Sequence, residues 1–428
     1  MKKTSKKPEK IKAVIMAAGE SSRFRPLSDK KHKSLTKLGG KTIIKRTIEN
    51  LKKIGINDII LIHTPGEEKK FQNELNGAGM NIKYAEQKEA KGTGDALRSA
   101  LHLVDSDFIL MNAAHEDSEE DLKKILNDRR ISRSIKLLAS KSARPWEYAV
   151  IEFEDDKKIR GLTEKPAKGE EKSDFRTVGV YLLTKEFKDY ISKVPEGPHS
   201  LIDAFNLYSK DFGAEAVKTD KEPPSIKYAF DLLDAVARFT NKQKNSIDRK
   251  AEISKRAVLN DSVHVGGGTK IMENAVIHGP VWIGENCVIG NNVVIRENSI
   301  IEGNVNLGAN TEIKRSHIGE GTHVHSGYIG DSIIGENCRI GAGFITANRR
   351  IDRGNIKFTV GGRIIDSQKT YLGAIIGENT KIGINASTMP GTIIGSNCVV
   401  GSGTEVNGSV ESNTLICAEK NNITKPIK

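Results

Sequence analysis

The chain has 428 residues, room for two domains, and its 37% hydrophobic and 29% charged residues are the balance of a soluble protein. No apolar run reaches the ~18–20 residues of a membrane span, and residues 1–10 lack the apolar core of a signal peptide, reading instead as a solvated basic tail. The formal charge of +12 is spread along the chain among 55 acids, with aromatics at 5%, so composition favours a lysine-rich surface with anionic small ligands over a nucleic-acid interface.

The first half alternates short apolar runs with helical spacing. Lys12–Ala17 is the first strand, and Gly19-Glu20-Ser21-Ser22-Arg23-Phe24-Arg25-Pro26 follows it as a loop, with Lys33 just beyond. Helices are predicted at 42–54, 67–75, 93–104 and 118–128. Strands are predicted at 58–63, 81–86 and 108–112. This alternation argues a Rossmann-like α/β domain with a parallel sheet, whose ligands bind at the carboxyl ends of the strands. The loop after the first strand is then the expected phosphate site: backbone N–H groups hold phosphate oxygens, and Arg23 and Lys33 add charge. A helix at 231–241 and a polar stretch close this half.

From Val263 to Val406 an aliphatic residue returns every six positions, as in Ile283-Gly284-Glu285-Asn286-Cys287-Val288 and Ile289-Gly290-Asn291-Asn292-Val293-Val294. A period of six fits neither a helix nor a flat sheet; it is the mark of a hexapeptide β-helix, three short strands to a coil. Gly and Asn take the corners, where unusual backbone angles are needed. Cys287, Cys338 and Cys398 share one position in the hexad and read as packing residues. With Cys417 they offer neither metal-ligand spacing nor a disulfide framework, which fits a reducing cytoplasm. The period breaks at 312–330, which holds Lys314, Arg315, His317, His323, His325 and Tyr328. It breaks again at 346–371, read as a projecting loop with Asn348, Arg349, Arg350, Lys357 and Arg363. Alone, His317 and His323 read as surface coil residues. A His is the natural base for an amine attacking a thioester at neutral pH, and nearby cations suit a phosphate.

Met16-Ala17-Ala18-Gly19-Glu20-Ser21-Ser22-Arg23-Phe24-Arg25-Pro26-Leu27 resembles the nucleotide signature of sugar-1-phosphate nucleotidylyltransferases. His32-Lys33-Ser34-Leu35 stands where that family has Pro-Lys-x-Leu. Gln87 with Gly92-Thr93-Gly94-Asp95-Ala96-Leu97 is similar to its base-holding segment, and Glu164-Lys165-Pro166 to its sugar contact. The resemblance implies that Ala18, Gly19, Arg23, Lys33, Gln87, Gly92, Thr93 and Glu164 bind nucleotide or sugar, and that the fold uses Mg2+ held by carboxylates. The positions that match those carboxylates read Ala114 and Ser225, so the expectation is a domain with weak or no transferase activity. The sugar-contact Gly and Asn likewise read Ala149 and Thr177.

His325-Ser326-Gly327-Tyr328-Ile329-Gly330-Asp331-Ser332, followed by Gly341-Ala342-Gly343-Phe344-Ile345-Thr346-Ala347-Asn348, resembles the acetyltransferase centre of bifunctional glucosamine-1-phosphate acetyltransferase / N-acetylglucosamine-1-phosphate uridylyltransferases. Gly373-Ala374-Ile375-Ile376-Gly377 and Gly383-Ile384-Asn385 look like the archaeal form. The resemblance implies a left-handed parallel β-helix and a homotrimer. It makes His325 the catalytic base, with Arg296, Lys314, Tyr328, Asn348 and Lys357 at the sugar phosphate and Ala342 and Ala374 at acetyl-CoA.

The expected organisation is therefore a basic tail at 1–10, a nucleotidyltransferase-like domain at 11–240 and a linker at 241–255. A β-helix acetyltransferase domain follows at 256–410, then a tail at 411–428. The expected activity is acetyl transfer from acetyl-CoA to an amino-sugar-1-phosphate on the way to UDP-N-acetylglucosamine, in the cytoplasm, with UTP or dTTP for the first domain and neither nucleic acid nor membrane as partner. Two other readings stand beside it: a fully bifunctional enzyme, and a non-catalytic regulatory or assembly subunit.

Overall fold

In the computed structural model, residues 11–115, 118–127, 133–219 and 226–419 are described. The basic tail 1–10, Ser225 and the last residues of the chain from 420 lie outside them. The chain divides into two compact units. One joins the chain up to Glu20 with the chain from Thr42, and the other joins Ser21–Lys41 with everything from Ile226 onward.

The first unit is built on a mixed sheet. The strands β1 (Lys12–Ala17), β2 (Asp58–His63), β3 (Asn81–Glu86) and β4 (Phe108–Asn112) are parallel, in the order β4-β1-β2-β3. β1 and β2 are buried almost throughout, as continuous apolar runs in a parallel sheet should be. The helices between them are α1 (Ile43–Lys53), α2 (Glu68–Leu75) and α3 (Thr93–Ala100). α1 is capped by Thr42, whose hydroxyl accepts from the Lys45 N–H at 3.3 Å, and it buries Ile43, Ile44, Ile48 and Leu51. α3 ends four residues before the expected 104, tightening into a 3-10 turn at Leu101–Leu103. α4 (Ser118–Asn127) leads into β5 (Ile135–Lys141).

The sheet then departs from the expected all-parallel form. The hairpin β6 (Ala149–Phe153) and β7 (Ile159–Glu164) replaces a crossover helix, so β8 (Phe175–Leu183) returns antiparallel to both β4 and β5. A parallel neighbour would have needed a crossover of a dozen or more residues. α5 (Phe187–Ile191), α6 (Ser200–Phe212) and β9 (Ala214–Thr219), parallel to β5, complete this unit.

The second unit is a β-helix whose three faces are parallel sheets of nine, nine and eight strands among the described residues. Val263 pairs with Val281 and Val281 with Ser299, so one coil is three hexads. Val263, Ile271, Ile277, Ile283, Ile289 and Ile295 point inward and are fully buried or nearly so. Corner asparagines adopt the left-handed conformation, Asn286, Asn292 and Asn310 at φ 54°, 57° and 59°. They form ladders: Asn274 donates to Asn292 at 3.2 Å and Asn292 to Asn310 at 3.3 Å. Cys287, Cys338 and Cys398 are buried packing residues, as expected.

The β-helix is longer than the hexads suggest. Ser246–Ile247 pairs with His264 and Val265, and Glu252–Ile253 with Lys270–Ile271, so a first coil occupies the stretch expected to be linker. Leu415–Ile416 pairs with Val399–Val400, beyond the expected end at 410. The helix α7 (Asp231–Lys242), expected in the first domain, belongs to the second unit. Its Thr240 hydroxyl donates to Asn298 of a β-helix corner at 3.1 Å, and Leu232, Val236 and Phe239 are buried. Among the described residues no helix is long and apolar enough to cross a membrane.

Candidate functional site

The first break in the hexads is a short coil. Thr311 pairs with Gly327, sixteen residues on, where regular coils take eighteen. At the corner closing it stands His325, between the strands His323–Val324 and Gly327–Gly330. Its N–H donates to the Ile340 carbonyl at 2.9 Å, and in the coils on either side the same corner is filled by Gly308 and Gly341. The imidazole is therefore carried outward from a position that is glycine in both flanking coils, and it is exposed.

The predicted phosphate cations occupy adjacent rungs of one face. Ile295 pairs with Ile313, which sets Arg296 beside Lys314, and the Arg296 N–H donates to the Ile313 carbonyl at 2.8 Å. The Arg296 guanidinium lies 3.4 Å from Glu312. On the next rung, Glu312 pairs with Tyr328. The Tyr328 hydroxyl accepts from Asn348 Nδ2 at 3.1 Å, and the same amide donates to Asp331 at 2.6 Å. Asp331 is buried and takes two hydrogen bonds from Arg315, at 2.6 and 3.0 Å. Burial, then the Asp331 carboxylate, push the Tyr328 hydroxyl above its ordinary pKa, which keeps it protonated at neutral pH. Arg315 and Arg349 lie over the ring of Tyr371, at 5.1 and 4.7 Å from its centroid.

Tyr328 and Asn348 are thus in direct contact, while Arg315, Asp331 and Tyr371 join them without having been singled out as site residues. The signal for Arg315 with Asp331 was a spacing of sixteen, one short coil. Lys357 begins the first strand of a hairpin, Lys357–Val360 against Arg363–Asp366, inside the projecting segment. It faces solvent opposite Asp366, outside the hydrogen bonds of the Tyr328 network. Ala342 is half-buried at a corner, its carbonyl accepting from the Asn385 N–H at 2.8 Å. Ala374 lies in the β-helix core with its N–H donated to Ser332 Oγ at 3.0 Å, so its methyl is turned away from any ligand. His317, expected at the surface, is buried beside Glu302 at 3.2 Å, on a strand against which α7 packs.

The predicted nucleotide residues fall in both units. In the first, Ala18 is buried at the end of β1 and Gly19 is exposed. Gln87 is buried and donates to the Gly92 carbonyl at 3.3 Å and to Asp95 at 3.1 Å, which ties it to the start of α3. Gly92 has φ 129°, and a Cβ there would sit 2.9 Å from Pro198 Cα, so only glycine fits. Thr93 opens α3, and Glu164 ends β7 with its carboxylate 3.5 Å from the Lys165 ammonium. Ala114, which the resemblance sets at the position of a metal-binding carboxylate, is buried. Ser225, Glu116 and Asp117 lie outside the described residues. Among the described residues no group of three His, Cys, Asp or Glu could hold a metal ion.

In the second unit, Arg23 is exposed on a 3-10 turn, Ser22–Phe24. The Lys33 ammonium donates to the Ile226 carbonyl at 2.7 Å. Burial, then the Arg23 charge, lower its pKa to about 8.

Comparison with known proteins finds two families matched along the chain. Residues 12–221 match the nucleotidyl transferase family, and 262–297 and 373–408 match the bacterial transferase hexapeptide repeat. The chain is 31% identical over 423 residues to the bifunctional protein GlmU of Methanocaldococcus jannaschii, covering 97% of this chain and all of that one. It is 32% identical to the bifunctional protein GlmU of Methanococcus maripaludis, over 94% of this chain and 96% of that one. It is also 29% identical to the bifunctional sugar-1-phosphate nucleotidylyltransferase/acetyltransferase of Sulfurisphaera tokodaii, over 94% and 98%. The chain belongs to the GlmU family of bifunctional transferases, a nucleotidyltransferase domain followed by a hexapeptide acetyltransferase domain.

Proposed function

We propose that the β-helix transfers acetyl from acetyl-CoA to the 2-amino group of an amino-sugar-1-phosphate, glucosamine-1-phosphate being the substrate we infer. The observation that carries this reading is His325 standing outward at a corner two positions before the strand of Tyr328, on a face where Arg296 and Lys314 are neighbours. Arg296 and Lys314 hold the sugar phosphate as a pair of cations. Tyr328 and Asn348, fixed by Asp331, meet the sugar hydroxyls. His325 takes one proton from the amine as its nitrogen attacks the thioester carbonyl. The C–S bond then breaks, the acetyl stays on nitrogen, and the thiolate leaves to be protonated as coenzyme A. A backbone N–H near Ala342 stabilises the oxyanion of the tetrahedral intermediate. We expect three copies to assemble, so that the exposed Ile345 and Ile384 become covered.

The test is product analysis with acetyl-CoA and a panel of amino-sugar-1-phosphates. N-acetylated glucosamine-1-phosphate is the expected product, and no acetylation of any of the panel would overturn the reading.

For the first domain we infer nucleotide binding with slow transfer. Ala114 cannot supply a carboxylate, so Mg2+ does not fit the described matching position, and the repulsion between two phosphates goes unrelieved there. Pyrophosphate release from UTP or dTTP with N-acetylglucosamine-1-phosphate decides this. Turnover above ~1 s⁻¹, the low end of ordinary enzymes, would restore the fully bifunctional reading.

A further inference from the structure

Residues Ser21–Lys41 carry Arg23 and Lys33 of the nucleotide signature, yet they belong to the compact unit of the β-helix. What holds them there is a ladder of glutamates. Ile318 pairs with Ile334 and Ile334 with Ile376, and each is followed by Gly and then Glu, which stacks Glu320, Glu336 and Glu378 at one corner of successive coils. Three lysines of the segment meet them in reverse order. Lys37 pairs with Glu320, Lys31 with Glu336, and Lys30 lies 3.4 Å from Glu378. Beyond them, the Ser396 hydroxyl donates to the Pro26 carbonyl at 3.3 Å and the Ser412 hydroxyl to Asp29.

The other end is fixed by Glu302, whose side chain is 1% exposed. Its two oxygens accept from the backbone N–H groups of Gly39 and Gly40, both at 2.8 Å, and the first also lies 3.2 Å from His317 Nε2. A buried carboxylate is costly unless its lone pairs are met, and here two main-chain donors meet both oxygens. Gly40 has φ 77°, and a Cβ there would sit 3.2 Å from the Trp282 ring, so the turn packs close against that indole. Neither Arg23 nor Lys33 belongs to the ladder. Its contacts anchor the segment on both sides of Lys33 and leave Arg23 exposed.

We propose that Glu302, Glu320, Glu336 and Glu378 are positioning residues for nucleotide recognition: they hold 21–41 against the β-helix in the shape that presents Arg23 to a nucleoside triphosphate's phosphates. This rests on the nucleotide-binding reading of the signature given above.

The test uses the full chain with Glu302→Gln and with the double change Glu320→Gln/Glu336→Gln. Glutamine keeps the size but offers the Gly39 and Gly40 N–H groups one acceptor oxygen in place of two. Amide hydrogen exchange over 30–40 is expected to quicken while the β-helix strands keep their protection. UTP affinity, measured by titration calorimetry, is expected to fall about tenfold, the scale of a lost network contact, with acetyl transfer unchanged. Unchanged exchange over 30–40 would overturn the clamp, and faster exchange with full UTP affinity would overturn the positioning. A wild-type chain that binds no UTP would sink the nucleotide reading itself, and the positioning with it. Should a variant also lose acetyl transfer through a disturbed coil, the charge reversal decides. Lys37→Glu and Glu320→Lys should each weaken UTP binding and together restore it, and a double reversal no better than the singles would overturn the proposal.

Discussion

At the scale of single residues, the proposed acetyltransferase centre rests on one substitution in a repeat. Coils above and below place Gly308 and Gly341 at the corner that His325 fills, so the imidazole projects from a backbone built by its neighbours. His325→Ala should leave the β-helix folded and lower acetyl transfer by ~10²–10⁴-fold, measured by thiol release from acetyl-CoA. Full activity in that variant would remove His325 from the chemistry. His32 gives a second residue-scale expectation. Burial, then the Lys33 charge, lower its pKa to about 3, while the unfolded chain keeps the ordinary value near 6.5. Between those values the unfolded state binds more protons, so this contribution to stability is present above pH 6.5 and is lost as pH falls towards 3. His32→Asn keeps an acceptor for the Ser34 N–H, which His32 Nδ1 now accepts at 3.2 Å. The unfolding midpoint of the wild type should therefore drop more between pH 7 and pH 5 than that of the variant. Equal drops would mean His32 charges without cost.

At the scale of elements, each coil is held by its corners as much as by its core. Asn292 takes φ 57° and sits in the middle of an asparagine ladder, accepting from Asn274 and donating to Asn310. Asn292→Ala should cost about 1–2 kcal/mol in denaturant unfolding, the ordinary penalty of a left-handed alanine, while Asn292→Gly should cost less. The inserted hairpin at 357–366 is anchored by Phe358, which is buried with its ring 5.0 Å from Phe230 and 6.1 Å from Tyr228. Phe358→Ala should free the hairpin, and limited trypsin digestion should then cut at Arg363 faster than in the wild type. An unchanged cutting rate would mean that Lys369, paired with Asp234 at 2.6 Å, suffices to hold it.

At the scale of the whole molecule, the chain's two units are not two consecutive stretches. Ser21–Lys41 leaves the first unit after β1 to lie along the β-helix, and α7 packs there as well. A fragment starting at residue 226 would lose the Gly39 and Gly40 donors to Glu302 and the lysines on the ladder. Calorimetry of that fragment should show a lower melting temperature than the matching transition of the full chain, because a carboxylate folded to accept two N–H groups is left without them. Family membership also sets aside the reading of the chain as a non-catalytic assembly subunit.

By itself the sequence determined the repeat. An inward aliphatic every six residues and an αL-tolerant Asn or Gly at each corner are local requirements, so the coils, the packing cysteines and the two breaks were legible. β1 to β4 were legible for the same reason, since continuous apolar runs between turn signals have few alternative uses. Only the tertiary structure decided the rest. That β8 runs antiparallel follows from a hairpin standing where a parallel strand would need a crossover, and Ala374 turns inward because the strand's phase fixes which faces are core. His317 is buried beside Glu302 because α7, remote from it in sequence, packs against its strand. The glutamate ladder was invisible because Lys37 and Glu320 are 283 residues apart, and charge pairing at that separation leaves no local pattern to read.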